Sequence, residues 1–216
     1  MEMKLYNYYR SSASYRVRIA LALKGVEYDY LPVHLLNSGG EQFQIDYRSL
    51  NPQSLVPTLV VGEHAIYQSL AIIEYLEETI ASPPLLPDDA VARANVRAFA
   101  LHLGCDVQPL VNLRVQKYLK EHVGAGQAHV SQWLSHWMSL GLKSLEKQLD
   151  KLPANDFCFG DTPGLADIFL IPQIFSAKRF NVEITPYHRL SSIYEHCLQH
   201  EAFKKAAPEV QPDSER

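Results

Sequence analysis

The sequence predicts two unlike parts, a small α/β domain followed by a domain made only of helices. Three observations carry this reading. Strand-like and helix-like segments alternate over the first eighty residues. The segment Ala81-Ser82-Pro83-Pro84 then interrupts the chain, because proline lacks the N–H a helix needs and clashes with the preceding turn. Beyond it the apolar spacing is helical throughout, and no strand alternation returns. The predicted domains are residues 1–82 and 87–216, with the proline segment as the linker.

Met3–Tyr8 is a short apolar strand that runs into a helix from about Ser12 to Lys24, closed by Gly25. Tyr28–His34, rich in aromatic and branched residues, reads as a second strand. Glu41–Leu50 reads as a short helix of weak periodicity. Thr58–Val61 and Ala65–Tyr67 are strands joined as a hairpin through Gly62-Glu63-His64. In the helix Ser69–Thr79, residues Leu70, Ile73 and Leu76 fall on one buried face. A β-α-β-α-β-β-α order in so short a stretch is that of a thioredoxin-type α/β sandwich. The second half predicts helices at Ala90–Val123, Gln127–Leu149, Gly164–Phe180 and Leu190–His200. With Gly164 as N-cap, Asp167 falls at the third helical position, where its carboxylate meets free N–H groups.

A chain of 216 residues buries a real core. Its net charge of −4 gives no basic excess to favour nucleic acid. No apolar run approaches the roughly 18 residues of a membrane span. The chain enters a strand almost at once and shows no signal-peptide pattern, so a cytoplasmic protein without a membrane or nucleic-acid partner is expected. Cys105, Cys158 and Cys197 are odd in number, widely spaced and without CxxC. They are expected to be buried small hydrophobes in a reducing compartment. Among nine histidines only His196 and His200 have an i, i+4 spacing, which is weak without a third ligand, and no metal is expected.

The chemistry concentrates at Tyr8-Tyr9-Arg10-Ser11-Ser12-Ala13-Ser14-Tyr15-Arg16-Val17-Arg18-Ile19-Ala20-Leu21. Two hydroxyls sit where a strand turns into a helix, beside unpaired N–H groups and the positive end of the helix dipole. An anion is stabilised there, and a thiolate is an anion. Arg10, Arg16 and Arg18 add positive potential, and Arg16 and Arg18, which lie within the helix, are expected to make structural ion pairs. The chain offers no sulfur of its own, since Ala13 holds the central position. In Leu55-Val56-Pro57-Thr58-Leu59 the proline reads either as a plain strand start or as a cis bond. In a thioredoxin-like setting the cis form would turn the Val56 backbone toward an extended peptide-like ligand. Ser69, after Gln68, reads as an N-cap or as a donor to a ligand carboxylate, and the two are compatible.

These segments resemble the glutathione transferases, and the zeta class in particular. Ser11 to Leu21 matches the class signature Ser-Ser-Cys-x-x-Arg-Val-Arg-Ile-Ala-Leu everywhere except Ala13, which replaces the cysteine. Leu50–Leu59, Gln68–Glu78, Gln108–Leu113 and Val182–Tyr187 are also similar, so the resemblance spans nearly the whole chain. It implies the glutathione transferase fold, with glutathione bound by the first domain and substrate by the second. It implies that Ser11 and Ser12 hold the thiolate, Gln42 and Val56 the peptide backbone, and Gln68 and Ser69 the γ-glutamyl end. Gln108 and Asn112 match ligand-contacting positions of the helical domain. The implied activity is cis–trans isomerisation of maleylacetoacetate or maleylpyruvate by thiolate addition, rotation and elimination, in a homodimer. Such small acidic substrates call for cations, and Arg10, Arg114 and Arg179 are the candidates. Conjugation or dehalogenation of small acids is an alternative, as is a non-catalytic binding protein. Intact Ser11, Ser12, Gln68 and Ser69 argue against the last.

Overall fold

The structure, a computed structural model, describes residues 2–215. Among them four strands form one mixed sheet in the order β2-β1-β3-β4. These are β1 (Met3–Asn7), β2 (Asp29–Pro32), β3 (Thr58–Val61) and β4 (His64–Tyr67). β1 runs parallel to β2 and antiparallel to β3, with Leu5 opposite Leu59, and β3 pairs antiparallel with β4. Alternate residues of β1, namely Met3, Leu5 and Asn7, are buried, as a period of two requires.

Helices α1 (Ser12–Leu23), α2 (Ile45–Leu50) and α3 (Ser69–Thr79) belong to the same unit. Every residue of α1 from Ser14 to Leu21 is buried. A helix buried all round must be covered on more than one side. Here α3 and a short C-terminal helix, α10 (Glu201–Ala206), both pack against α1. The chain accordingly divides into Met1–Pro84 with His200–Arg216 as one unit and Leu85–Gln199 as the other. This differs from the expected second domain of 87–216. Residues from 200 onward belong to the first unit, where α10 packs on α1 and buries Ala202, Phe203 and Ala206. There the Ala206 carbonyl receives the Arg18 Nε (3.0 Å).

The second unit is helical, with α4 (Ala90–Leu101), α5 (Gln108–Val111), α6 (Leu113–Glu121), α7 (Gln127–Leu149), α8 (Leu165–Arg179) and α9 (His188–Cys197). The single helix expected over Ala90–Val123 is interrupted. A π-helical stretch, His102–Val107, follows α4, Pro109 stands in the first turn of α5, and Asn112 leaves helical geometry at ψ 150°. Pro109 has no N–H to continue the ladder, and the Asn112 side chain caps the next helix instead. The expected helix Leu190–His200 also divides. His200 caps α10 by accepting the Ala202 N–H (3.2 Å), so His196 and His200 do not share a helix turn. The Gly164 cap is as expected, with its N–H donating to the Asp167 carboxylate (2.9 Å) and the Cys158 N–H to the other oxygen (2.9 Å). Cys158 and Cys197 are buried, and burial pushes both thiols up. Cys105 is exposed, against expectation; it lies in the π-helical stretch, whose buried residues are Leu103 and Val107.

The end of the first unit is fastened by Lys24, whose side chain is fully buried. Its ammonium pairs with Glu77 (2.6 Å) and donates to the carbonyls of Ile80 (2.6 Å) and Pro83 (2.7 Å). Lys24→Met should lower stability by about 2–4 kcal/mol, since buried acceptors lose a charged donor. Urea unfolding followed by circular dichroism checks this, and a loss below about 0.5 kcal/mol would refute the fastening role.

Candidate functional site

The β1–α1 turn carries Ser11 and Ser12. Ser11 is the N-cap of α1, in extended geometry, and its hydroxyl oxygen accepts the Ser14 N–H (3.3 Å). A hydroxyl that accepts one bond still has its proton to donate. Ser12 is the first helical residue, at the positive end of the α1 dipole. The turn closes with Ser11 N–H to the Tyr8 carbonyl (3.0 Å).

Val56 precedes Pro57 through a cis peptide bond, the second of the two readings open from sequence. Among the described residues no protein hydrogen bond engages the Val56 N–H or carbonyl. The loop that presents Val56 is stitched from beneath. Buried Asn51 donates to the Leu55 carbonyl (2.9 Å) and to Thr58 Oγ1 (2.9 Å), and accepts the Gln53 N–H (3.0 Å). The Tyr47 hydroxyl also donates to the Leu55 carbonyl. Sequence reasoning gave Asn51 and Tyr47 no role. The available signal was a Tyr and an Asn just before a proline-containing loop, but their partners are set by folding.

Gln68, and not Ser69, is the N-cap of α3. Its backbone has φ 75°, and α3 has no side-chain cap hydrogen bond. A non-glycine residue at positive φ costs about 1 kcal/mol and marks a place where the surroundings dictate the backbone. The Gln68 amide donates to Gln53 Oε1 (2.8 Å). Ser69 is buried at the first position of α3, and its hydroxyl oxygen accepts from Arg16 Nη1 (3.5 Å). Gln42 lies buried in a 3-10 turn, Glu41–Phe43, with Nε2 reaching the Leu35 carbonyl (3.5 Å). Its Oε1 is buried without a partner among the described residues. Gly40, at φ 113°, leaves the space that this side chain fills, because a Cβ there would stand 2.6 Å from Gln42 Nε2.

Arg10 is engaged by the chain itself. Its guanidinium donates to the Tyr8 hydroxyl (2.9 Å) and to Glu215 (3.1 Å), and lies 4.9 Å over the Tyr9 ring. Arg18 is buried and donates to backbone carbonyls and to Asn7 Oδ1, neutral acceptors where a structural ion pair was expected. In the other unit, Gln108 opens α5 and Asn112 caps α6 by accepting the Arg114 N–H (3.1 Å). The Arg114 side chain is exposed nearby. Arg179, also exposed, ends α8 with its guanidinium 4.5 Å over the Phe180 ring. No cluster of three or more His, Cys, Asp or Glu residues able to hold a metal occurs among the described residues. No helix there is long and apolar enough to cross a membrane.

The first unit thus offers two helix N-termini, an unengaged backbone pair at Val56 and a buried orphan acceptor at Gln42. The family model for the glutathione S-transferase N-terminal domain matches residues 1–78, and that for the C-terminal domain matches 127–203. The chain belongs to the glutathione S-transferase family. It is 48% identical over 98% of its length to the whole of a maleylpyruvate isomerase from a Ralstonia species. It is 46% identical over 98% of its length to 99% of a maleylacetoacetate isomerase from Pseudomonas aeruginosa. A holo maleylpyruvate isomerase structure, described as a bacterial zeta-class glutathione S-transferase, superposes with a TM-score of 0.95 at 46% identity. That alignment covers 98% of this chain and 100% of the other. A maleylacetoacetate isomerase from Methylobacterium extorquens AM1, solved with malonate and glutathione, has a TM-score of 0.94 at 37% identity, covering 99% and 100%. One from Anaeromyxobacter dehalogenans, solved with dicarboxyethyl glutathione and citrate, has a TM-score of 0.86 at 37% identity, covering 99% and 94%.

For this glutathione S-transferase the loop under Val56 depends on Asn51 more than the α1 start depends on its cap. Asn51→Ala should cost about 2–3 kcal/mol, because buried acceptors lose their donor. Ser11→Ala should cost about 1 kcal/mol as a lost N-cap. Urea unfolding of both variants tests the order, and equal losses would contradict it.

Proposed function

We propose that this chain is a glutathione-dependent cis–trans isomerase that converts a maleyl keto acid, maleylacetoacetate or maleylpyruvate, to its fumaryl isomer. The observation that carries the reading is the pairing of donors in the first unit. One helix start presents hydroxyls with no thiol of the chain beside them, and the other presents N–H groups with no side-chain cap. Similarity along essentially full length to isomerases of both substrates supports it.

Bound glutathione would supply the thiolate whose reversible addition makes the cis double bond single, permits rotation, and ends in elimination to the trans alkene. The residues of the chain do the rest. Ser11 and Ser12, at the positive end of α1, hold negative charge on sulfur through hydroxyl donors and the helix dipole. A free thiol of this kind has a pKa of about 8.5, so these donors raise the thiolate share at neutral pH. Val56 offers its N–H and carbonyl to the peptide backbone, and Gln42 Oε1 gains the donor it lacks. Gln68 and Ser69 take the γ-glutamyl end, whose carboxylate completes the uncapped start of α3. From the helical unit, Gln108 and Asn112 contact the ligand. Arg10, Arg114 and Arg179 bind the acidic ends of the substrate. Ala13 adds no thiol, so no cysteine at that position takes part.

On the same resemblance the protein is a cytoplasmic homodimer, and sedimentation at twice the chain mass would agree. The deciding assay follows the absorbance of maleylacetoacetate and of maleylpyruvate with and without glutathione. Isomerisation consumes substrate and leaves free glutathione constant. Stoichiometric loss of glutathione would mean conjugation, and turnover without any thiol would overturn the mechanism. Ser11→Ala should raise the pKa of bound glutathione by roughly one unit, equivalent to about 1.4 kcal/mol. An unchanged pH titration of the thiolate absorbance would move that role to Ser12.

A further inference from the structure

We infer that Arg18 and Asp213, 195 positions apart in the chain, are a pair of positioning residues that set the turn carrying Ser11 and Ser12. The inference rests on the proposed role of those serines. The Ser11 N–H to Tyr8 carbonyl bond closes the turn but does not engage Tyr9, so the partners of the Tyr9 backbone groups decide where it lies. Arg18, on α1, is 1% exposed. Its Nη2 donates to the Tyr9 carbonyl (2.8 Å), and its Nη1 to the Tyr8 carbonyl (3.4 Å) and Asn7 Oδ1 (3.0 Å). Asp213 accepts the Tyr9 N–H (3.1 Å). Both sides of Tyr9, two residues before Ser11, are therefore held by charged groups.

The two holders are themselves linked. The Arg18 Nε donates to the Ala206 carbonyl (3.0 Å), which anchors the segment that ends in Asp213. Gln211 shapes that segment by donating to the carbonyls of Lys205 (3.0 Å) and Ala207 (2.8 Å). The Tyr30 hydroxyl of β2 donates to the second oxygen of Asp213, so each carboxylate oxygen has one donor. Tyr30, Arg18 and the C-terminal segment thus form one frame around the turn. Bonds with one ionised partner are short and strong, which suits a frame that must not drift. Position matters here because a misplacement of about 1 Å at a reacting group can cost up to 10²-fold in rate.

Asp213→Ala tests this, with Tyr30→Phe as a milder variant that removes only the donor to Asp213. Three quantities are read in each intact protein: hydrogen exchange of the 8–14 peptide without glutathione, the pKa of bound glutathione, and the split between kcat and the KM for glutathione. Asp213→Ala should speed exchange in that peptide and raise the thiol pKa by roughly half a unit or more. It should lower kcat by about tenfold while the KM for glutathione moves less than about twofold, since the α3 and Val56 contacts are untouched. Tyr30→Phe should shift all three the same way by less, and Asp213→Asn should recover part of the loss. A lower melting temperature or faster exchange with an unchanged thiol pKa and kcat would overturn the inference. Should Asp213→Ala fail to fold, an unchanged thiol pKa in both Tyr30→Phe and Asp213→Asn would overturn it equally. Wild-type protein that forms no thiolate at neutral pH would remove the functional reading and this inference together, and that control precedes any variant.

Discussion

The guanidinium of Arg18 is the group on which the arrangement of the first unit depends most. It is buried inside α1 and spends its donors on carbonyls of the β1–α1 turn and of α10. A charge so placed is tolerable only when its donors are met, and backbone carbonyls are acceptors that cannot move away independently. Burial lowers the pKa of this arginine, but a guanidinium starts high enough to stay charged. The consequence is geometric. The strand that begins the sheet, the helix that covers it and the C-terminal segment are held at one point, and the candidate thiolate residues follow directly from that point.

The two helix starts near this point differ in a way that fits a single elongated ligand. α1 is capped by its own Ser11, which uses an oxygen lone pair and leaves the hydroxyl proton. α3 has no side-chain cap, and Gln68 holds a left-handed backbone where it begins. A sulfur anion is served by a hydroxyl donor and a carboxylate by several N–H groups. The difference in capping therefore matches the roles proposed for the two starts, one toward the central thiolate of glutathione and one toward its γ-glutamyl carboxylate. Between them, Asn51 and Tyr47 secure the loop of Val56 by spending side-chain donors on the Leu55 carbonyl, so the Val56 backbone is not needed for the loop itself.

The cations proposed for the acidic substrate are less uniform. Arg10 already shares its charge with Glu215 and the Tyr8 hydroxyl, so a substrate carboxylate would compete with the chain's own. Arg114 and Arg179 are exposed, one after the Asn112 cap and one at the end of α8. Exposed guanidinium groups contribute little to the fold, and Arg179 lies over the Phe180 ring.

Much of this was legible without coordinates. The strand and helix order of the first eighty residues, Thr58–Val61, Ser69–Thr79 and Gln127–Leu149 follow from local periodicity, and the Ser-Ser turn and Val-Pro step follow from residue chemistry read against a family signature. What local pattern lacked was partners. Periodicity joined Ala90 to Val123 because it cannot see that Asn112 caps a new helix, and it joined Leu190 to His200 for the same reason. Ser69 looked like a cap because its type prefers that position, while the Gln68 backbone took it. The role proposed for Asp213 was out of reach, since its partners Tyr9 and Tyr30 lie some two hundred positions away. The sequence by itself determined the kinds of element and the chemistry offered at each turn, because propensity, period and side-chain type are local. Only the tertiary structure decided which groups meet, because hydrogen bonds such as those of Arg18 and Asp213 join residues that lie side by side only once the chain has folded.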